Sequence, residues 1–192
     1  MKIVYDKNED KIVFDKTYKF FFKNSLLNSY FHNVYSDIND VVLLEEVIDT
    51  FNHKICEILM SNLINLLLYL EEQKYTLSTI SISDIVVIDK KHFVFMNSSV
   101  VVPIVNDYIY INTPFEKSDF LSPELKQLQS IPSKIYFTSC YYSLATIIFY
   151  ALFKVNYTTE TKEFKKIYYS KLYFFLARCL NQDPMKRKLI FI

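Results

Sequence analysis

Side chains able to do chemistry are sparse in this chain, and their spacing excludes several kinds of site. Cys56, Cys140 and Cys179 lie far apart in apolar runs, with no C-x-x-C. Their odd number and wide separation argue against a disulfide framework. His32, His53 and His92 form no i,i+4 pair and sit near no cysteine. A Cys/His metal centre is therefore not expected; buried thiols and surface imidazoles are. The chain has 192 residues and no glycine at all. Loops that wrap phosphates, and the sharp turn that presents a nucleophilic serine, need glycine for positive φ and close backbone approach. A P-loop, a G-x-G-x-x-G dinucleotide loop and a G-x-S-x-G elbow are all excluded.

Charge gives no strong direction. Lys and Arg number 22 against 21 Asp and Glu, for a net charge of +1, so no global field points to nucleic acid or an anionic surface. Lys162, Lys165, Lys166, Lys171, Lys186, Arg187 and Lys188 make the last third locally basic, diluted by Glu160 and Glu163. A solvated helix face is the plain account of that run. Tyrosines 108, 110, 141, 142, 168 and 169 could stack on bases. No accompanying RNA-binding pattern is present, so packing is the expected role and no nucleic acid is expected as a partner.

The elements that must position these groups follow from periodicity. Residues 2–15 read as a hairpin, with Ile3-Val4-Tyr5 and Ile12-Val13-Phe14 flanking a polar turn. Thr17 to Phe31 reads as helical. From Val41 to Glu72 the pattern is helical with a break near Asn52, and Ile55, Leu59, Leu63, Leu66, Leu67 and Leu70 make one apolar stripe. A second hairpin pairs Ile85–Ile88 with Phe93–Phe95. Val100 to Asn112 is β-like or irregular. Tyr141 to Val155 is a buried helix. Glu160 to Leu180 is helical with Tyr168, Leu172, Phe175, Leu176 and Cys179 on one face, and Asp183-Pro184 lies beyond its end. Ile135 to Phe153 runs 19 residues without a charge, long enough to span a bilayer. Its four Ser and Thr residues favour a helix buried inside a globular domain, and no membrane is expected. The charged N-terminus, Met1 to Asp6, does not read as a signal peptide.

That order of long helix, loop, hairpin, irregular segment, buried helix and second helix resembles the C-terminal lobe of a protein kinase. The motifs resemble it too. Tyr69-Leu70 closes the long helix as the family's Y-L-H does. Leu77-Ser78-Thr79 falls where the family has H-R-D. Ile80 to Val86 follows it as L-K-P-x-N-I-L does, and Met96-Asn97-Ser98-Ser99 stands where the family has D-F-G. Ser122-Pro123-Glu124 matches A-P-E, and Tyr142-Ser143-Leu144-Ala145 matches W-S-x-G. Arg178-Cys179-Leu180-Asn181-Gln182-Asp183-Pro184-Met185-Lys186-Arg187 resembles R-C-L-x-x-D-P-x-x-R. The resemblance covers about residues 50–192.

The resemblance implies a fold that is mainly α with small β-hairpins, the lobe occupying residues 46–192. The N-lobe is absent or reduced to a hairpin and helix in residues 1–45. It also implies lost catalysis. A kinase needs a carboxylate to accept the hydroxyl proton, a second on Mg²⁺, and a Lys on the phosphates. Thr79 takes the first position and Asn97 the second; the metal-binding Asn becomes Asp84, whose plain reading is a loop carboxylate facing water. No residue matches the phosphate Lys. The Asp that opens the central helix and braces the catalytic loop is aligned with Cys140, so that brace is expected to be lost. Glu124 and Arg187 fall where the family has a buried ion pair; the alternative is two unrelated surface charges.

The expectation is thus a catalytically inactive pseudokinase, not an enzyme, with no cofactor, acting as a protein-binding or scaffold module. The alternatives are a divergent phosphotransferase completed by a partner chain, or a small membrane-attached protein using residues 135–153. Abundant Lys, Asn, Ile, Phe and Tyr beside absent Gly and Trp reflect an AT-rich genome. A large DNA virus, poxvirus or giant virus, is the expected source, and an intracellular setting, host cytoplasm or virion, the expected location.

Overall fold

The computed structural model describes residues 25–32, 40–160 and 163–189. The hairpin expected over 2–15 lies outside the described residues, as does most of the helix expected over 17–31. Its described part is α1, Ser25–His32.

The long helix α3, His53–Glu72, starts where the sequence breaks: the Asn52 side chain accepts from the Ile55 N–H at 3.0 Å, satisfying one of the free donors of the first turn. Leu59, Leu63, Leu66, Leu67 and Leu70 are buried along one stripe, joined by Cys56. The segment before Asn52 differs from expectation. Val41–Leu43 is a strand, β1, followed by one helical turn, α2 (Leu44–Val47), and a 3₁₀ turn over Ile48–Thr50. The cause is tertiary: β1 pairs antiparallel with Val86–Ile88, and a β-branched pair such as Val41-Val42 fits a strand once a partner edge is available.

That edge is the expected hairpin, β3 (Ile85–Ile88) and β4 (His92–Phe95), in register Val86↔Val94. Preceding it, β2 (Tyr75–Leu77) pairs with β5 (Val101–Pro103). After β5 comes β6 (Tyr108–Ile111); beyond α4 (Pro123–Lys126), β7 (Ser133–Tyr136) returns to pair with β6. The fold therefore combines helices with three small antiparallel sheets, and only one of the three is built on a tight hairpin.

The central helix α5, Ser139–Phe153, buries twelve of its 15 residues, so every face meets protein rather than one stripe. The uncharged run over 135–153 is split between the end of β7, a turn and this helix. Among the described residues no helix is long and apolar enough to cross a membrane. The helix expected over 160–180 is interrupted: a 3₁₀ segment, Glu163–Ile167, precedes α6, Lys171–Cys179. Tyr169 between them has φ 65°, a left-handed conformation that an α-helix does not accommodate. Ser170 then caps α6 by accepting from the Tyr173 N–H at 3.1 Å. Leu172, Phe175, Leu176 and Cys179 face the core as the periodicity predicts, whereas Tyr168 is exposed. One core joins α3, α5, α6 and the three-stranded sheet, and includes Leu27, Val41 and Leu44 from the N-terminal part. A smaller one gathers Ile109, Ile111, Leu121, Leu125 and Ile135 under the β6–β7 ribbon.

Candidate functional site

The loop between β2 and β3 and the segment after β4 meet at Asp84. A 3₁₀ turn, Ile82–Asp84, brings the Asp84 carboxylate back over its own start. There Oδ2 accepts the Ser81 N–H at 3.1 Å. The other oxygen, Oδ1, accepts from the Asn97 side-chain nitrogen at 2.9 Å. Asn97 Oδ1 in turn accepts from the Ser99 N–H at 3.1 Å and the Ser99 hydroxyl at 2.6 Å. The Asp84 carbonyl accepts the Met96 N–H at 2.7 Å. Asp84 and Asn97 are thus brought together, and the carboxylate is half-buried rather than facing water. Burial pushes its carboxyl above the ordinary value of 3.8, while the bonds from Asn97 and Ser81 pull it back.

This arrangement acts as a clamp. Both Asp84 oxygens already receive protein donors, and the Asn97 oxygen is turned towards Ser99. Thr79 sits half-buried in the same loop, and its hydroxyl is a very poor base near neutral pH. Among the described residues no three of His, Cys, Asp and Glu gather as a metal-ligating group.

Below the loop, α5 supplies a different brace from a carboxylate. Cys140 is fully buried, with Sγ 3.2 Å from Thr76 Oγ1 and donating to the Phe137 carbonyl at 3.3 Å. Burial pushes its thiol up to about 12, and the Thr76 hydroxyl and the Leu77 backbone N–H are among the groups that oppose this rise. Where the resemblance has an aspartate, the contact made is with β2, the strand that leads into the loop. The thiol meets β2 through the Thr76 side chain and the Leu77 backbone, because a small polarisable sulfur fits a dry contact that a carboxylate would fill with charge. Next to it, the Tyr141 hydroxyl donates to Glu71 Oε1 at 2.6 Å, fastening α5 to the last turn of α3.

Glu124 and Arg187 meet. The guanidinium Nη1 bonds Glu124 Oε1, and Nη2 donates to Oε2 at 3.0 Å. Arg187 further donates from Nε to Asn181 O at 2.8 Å, from Nη2 to Gln182 O at 3.3 Å and from Nη1 to Thr138 O at 3.4 Å. All five guanidinium donors therefore have acceptors. Its plane lies over the Tyr142 ring, 4.9 Å from the centroid. The Arg187 side chain is 0% exposed and that of Glu124 19%. Alongside, the buried Ser122 and Ser139 hydroxyls share a hydrogen bond at 2.5 Å, tying the start of α4 to the start of α5.

Sequence reasoning missed three of these contacts: Thr76–Cys140, Glu71–Tyr141 and Ser122–Ser139. Each joins residues distant in the chain, and polar residues inside apolar runs were the one available signal. No family model matches the chain, and no curated protein matches it.

Proposed function

We propose that this chain is a minimal, catalytically inactive kinase-like protein that works as a protein-binding or scaffold module. The observation that carries the reading is the Asp84–Asn97 contact. These are the two positions that the resemblance assigns to Mg²⁺, and here they spend their polar atoms on each other and on the loop backbone. Thr79, at the position of the catalytic base, supplies no carboxylate. Phosphoryl transfer depends on positioned charge, and losing even one such stabilising group costs about 10²–10³ in rate.

The kinase-like part of the proposal draws support from the motif positions. The S-P-E segment and the final arginine of the last motif, 63 residues apart, are joined by a two-point buried ion pair. β2, the strand that leads into the segment aligned with H-R-D, meets the start of the central helix through Thr76 and Cys140. What remains is packing without reactive groups, which suits a surface for other proteins. A source in a large DNA virus belongs to the same proposal and rests on composition.

The test is thermal unfolding with millimolar Mg-ATP, paired with a phosphate-transfer assay on the chain itself and on generic substrates. No shift and no transfer are expected. A ligand at 100 times its Kd would add about 2.7 kcal/mol, well within detection. A reproducible shift abolished by Asp84→Ala would overturn the inactive reading in favour of a nucleotide-binding protein or an enzyme completed by another chain.

A further inference from the structure

Among the described residues, one buried side-chain oxygen has no hydrogen-bond partner, the hydroxyl of Ser143. It sits midway along α5, and the residue is 0% exposed. A hydroxyl taken out of water and given no partner is destabilising, because it gives up its bonds to solvent and gains none. An orphaned group of this kind asks what satisfies it.

Its surroundings are polar along one line. Ser139, Ser143 and Thr146 follow at steps of four and three, so they share one face of α5. Residues 120–122 meet that face at two places. At one, Ser139 Oγ lies 2.5 Å from Ser122 Oγ. At the other, Thr146 Oγ1 donates to the Phe120 carbonyl at 2.8 Å and to the Ser143 carbonyl at 2.8 Å. Ser143 stands between the two contacts. A proton count gives an independent sign. Ser122 and Ser139 are each 0% exposed, and each hydroxyl carries one O–H. Whichever donates in their contact, the proton of the other is left over. The Leu125 N–H, 3.4 Å from Ser122 Oγ, brings a further donor rather than an acceptor. Three buried hydroxyls thus share one O–H···O bond, and two of their protons lack an acceptor among the described residues.

We infer that Ser143 and the Ser122–Ser139 pair form the binding site of one internal water molecule, shared by the central helix and the stretch that opens α4. The water oxygen accepts the two spare protons, which gives it a partner count ordinary for buried water. The adjacent charges, Glu124 and Arg187, are spent on each other, so the site selects a neutral ligand. The inference stands on the hydroxyls alone and does not need the kinase-like reading.

The experiment pairs a crystal structure of the full chain with thermal unfolding of Ser143→Ala, Ser122→Ala and the double variant. The crystal structure should place an ordered water within hydrogen-bond distance of Ser143 Oγ and of Ser122 Oγ or Ser139 Oγ. Alanine is the better helix former, so Ser143→Ala should melt higher if the hydroxyl bonds nothing. With the water in place, the variant strands a buried water, and its melting temperature should fall by about 2–4 °C. Ser143 and Ser122 share no direct bond, so a double loss smaller than the sum reports the water they share. Three results would each overturn the inference: Ser143→Ala melting unchanged or higher, additive losses, or a crystal structure in which Ser143 Oγ bonds no water. None of these alters the Mg-ATP outcome, so the two proposals fail separately.

Discussion

Removing one partner of the Glu124–Arg187 pair tests the packing of the last third of the chain. Glu124→Ala leaves a guanidinium with 0% side-chain exposure and takes away both of its carboxylate bonds, while the bonds to Asn181, Gln182 and Thr138 remain. An orphaned buried charge of this kind costs about 3–5 kcal/mol. Arg187→Ala leaves Glu124, which at 19% exposure recovers some hydration, so its charge penalty is smaller. That variant also strips a donor from three carbonyls and removes the cation from the Tyr142 ring, the latter worth about 0.5–2 kcal/mol. The two single losses should therefore be similar. Arg187→Lys should recover little, since an ammonium lacks the planar fork that reaches five acceptors at once.

The double variant leaves neither charge alone, so its loss should fall short of the sum by roughly 2–3 kcal/mol, the upper part of the range for residues in one network. Urea unfolding of all four proteins at neutral pH, with m-values compared, gives the cycle. A domain of ordinary stability has about 5–15 kcal/mol, so the singles stay measurable. Additive losses, or single losses below about 1 kcal/mol as for an exposed pair, would refute the reasoning.

Burial pushes the Glu71 carboxyl above its ordinary value of 4.5. A carboxyl raised in the folded state contributes stability below its unfolded pKa and loses it as pH rises through the folded value. Glu71→Gln keeps an acceptor for Tyr141 and removes that loss. It should therefore be more stable than wild type at neutral pH, with the gap closing as the pH falls towards the ordinary carboxylate range; a pH-independent gap in urea unfolding would contradict this. In hydrogen exchange, the amides of residues 144–151 should be the slowest of the chain, since α5 is enclosed on every side. Fast exchange there would contradict the central position of that helix.

Elements that depend on local pattern were legible in the sequence. The α3 stripe, its break at Asn52, the β3–β4 hairpin and the uniformly apolar α5 each need only neighbours within a few residues. β1 was misread as helix because Val41–Leu43 becomes a strand only against the β3 edge, 43 residues away at Leu43↔Val86. The interruption at Tyr169 was invisible for another reason. Left-handed turns are usually announced by glycine, and this chain has none. At the candidate site, Asp84, Asn97 and Thr79 could be placed in one region from motif order. That Asp84 turns inward to Asn97 and Ser81 could not, because loop direction follows from a capping geometry three residues long. The Cys140 contact with Thr76 was not legible because the two residues are 64 positions apart.

The missing glycines have a structural consequence. Seven described residues take positive φ without glycine: Lys74, Asp89, Lys90, Asn106, Asp107, Lys154 and Tyr169. Three are Asp or Asn, the types that tolerate this state. Two of the seven also hold neighbouring backbone with their side chains. Lys154 closes α5 in the left-handed position where glycine usually stands, and its ammonium donates to Ile48 O at 2.6 Å and to Ala151 O. Asp89, at the hairpin turn, accepts the Asp40 N–H at 2.8 Å and so fixes the edge of β1. Lys154 and Asp89 are thus tied to the fold by what their side chains hold. Lys74, Lys90 and Tyr169 take the same state as exposed turn residues.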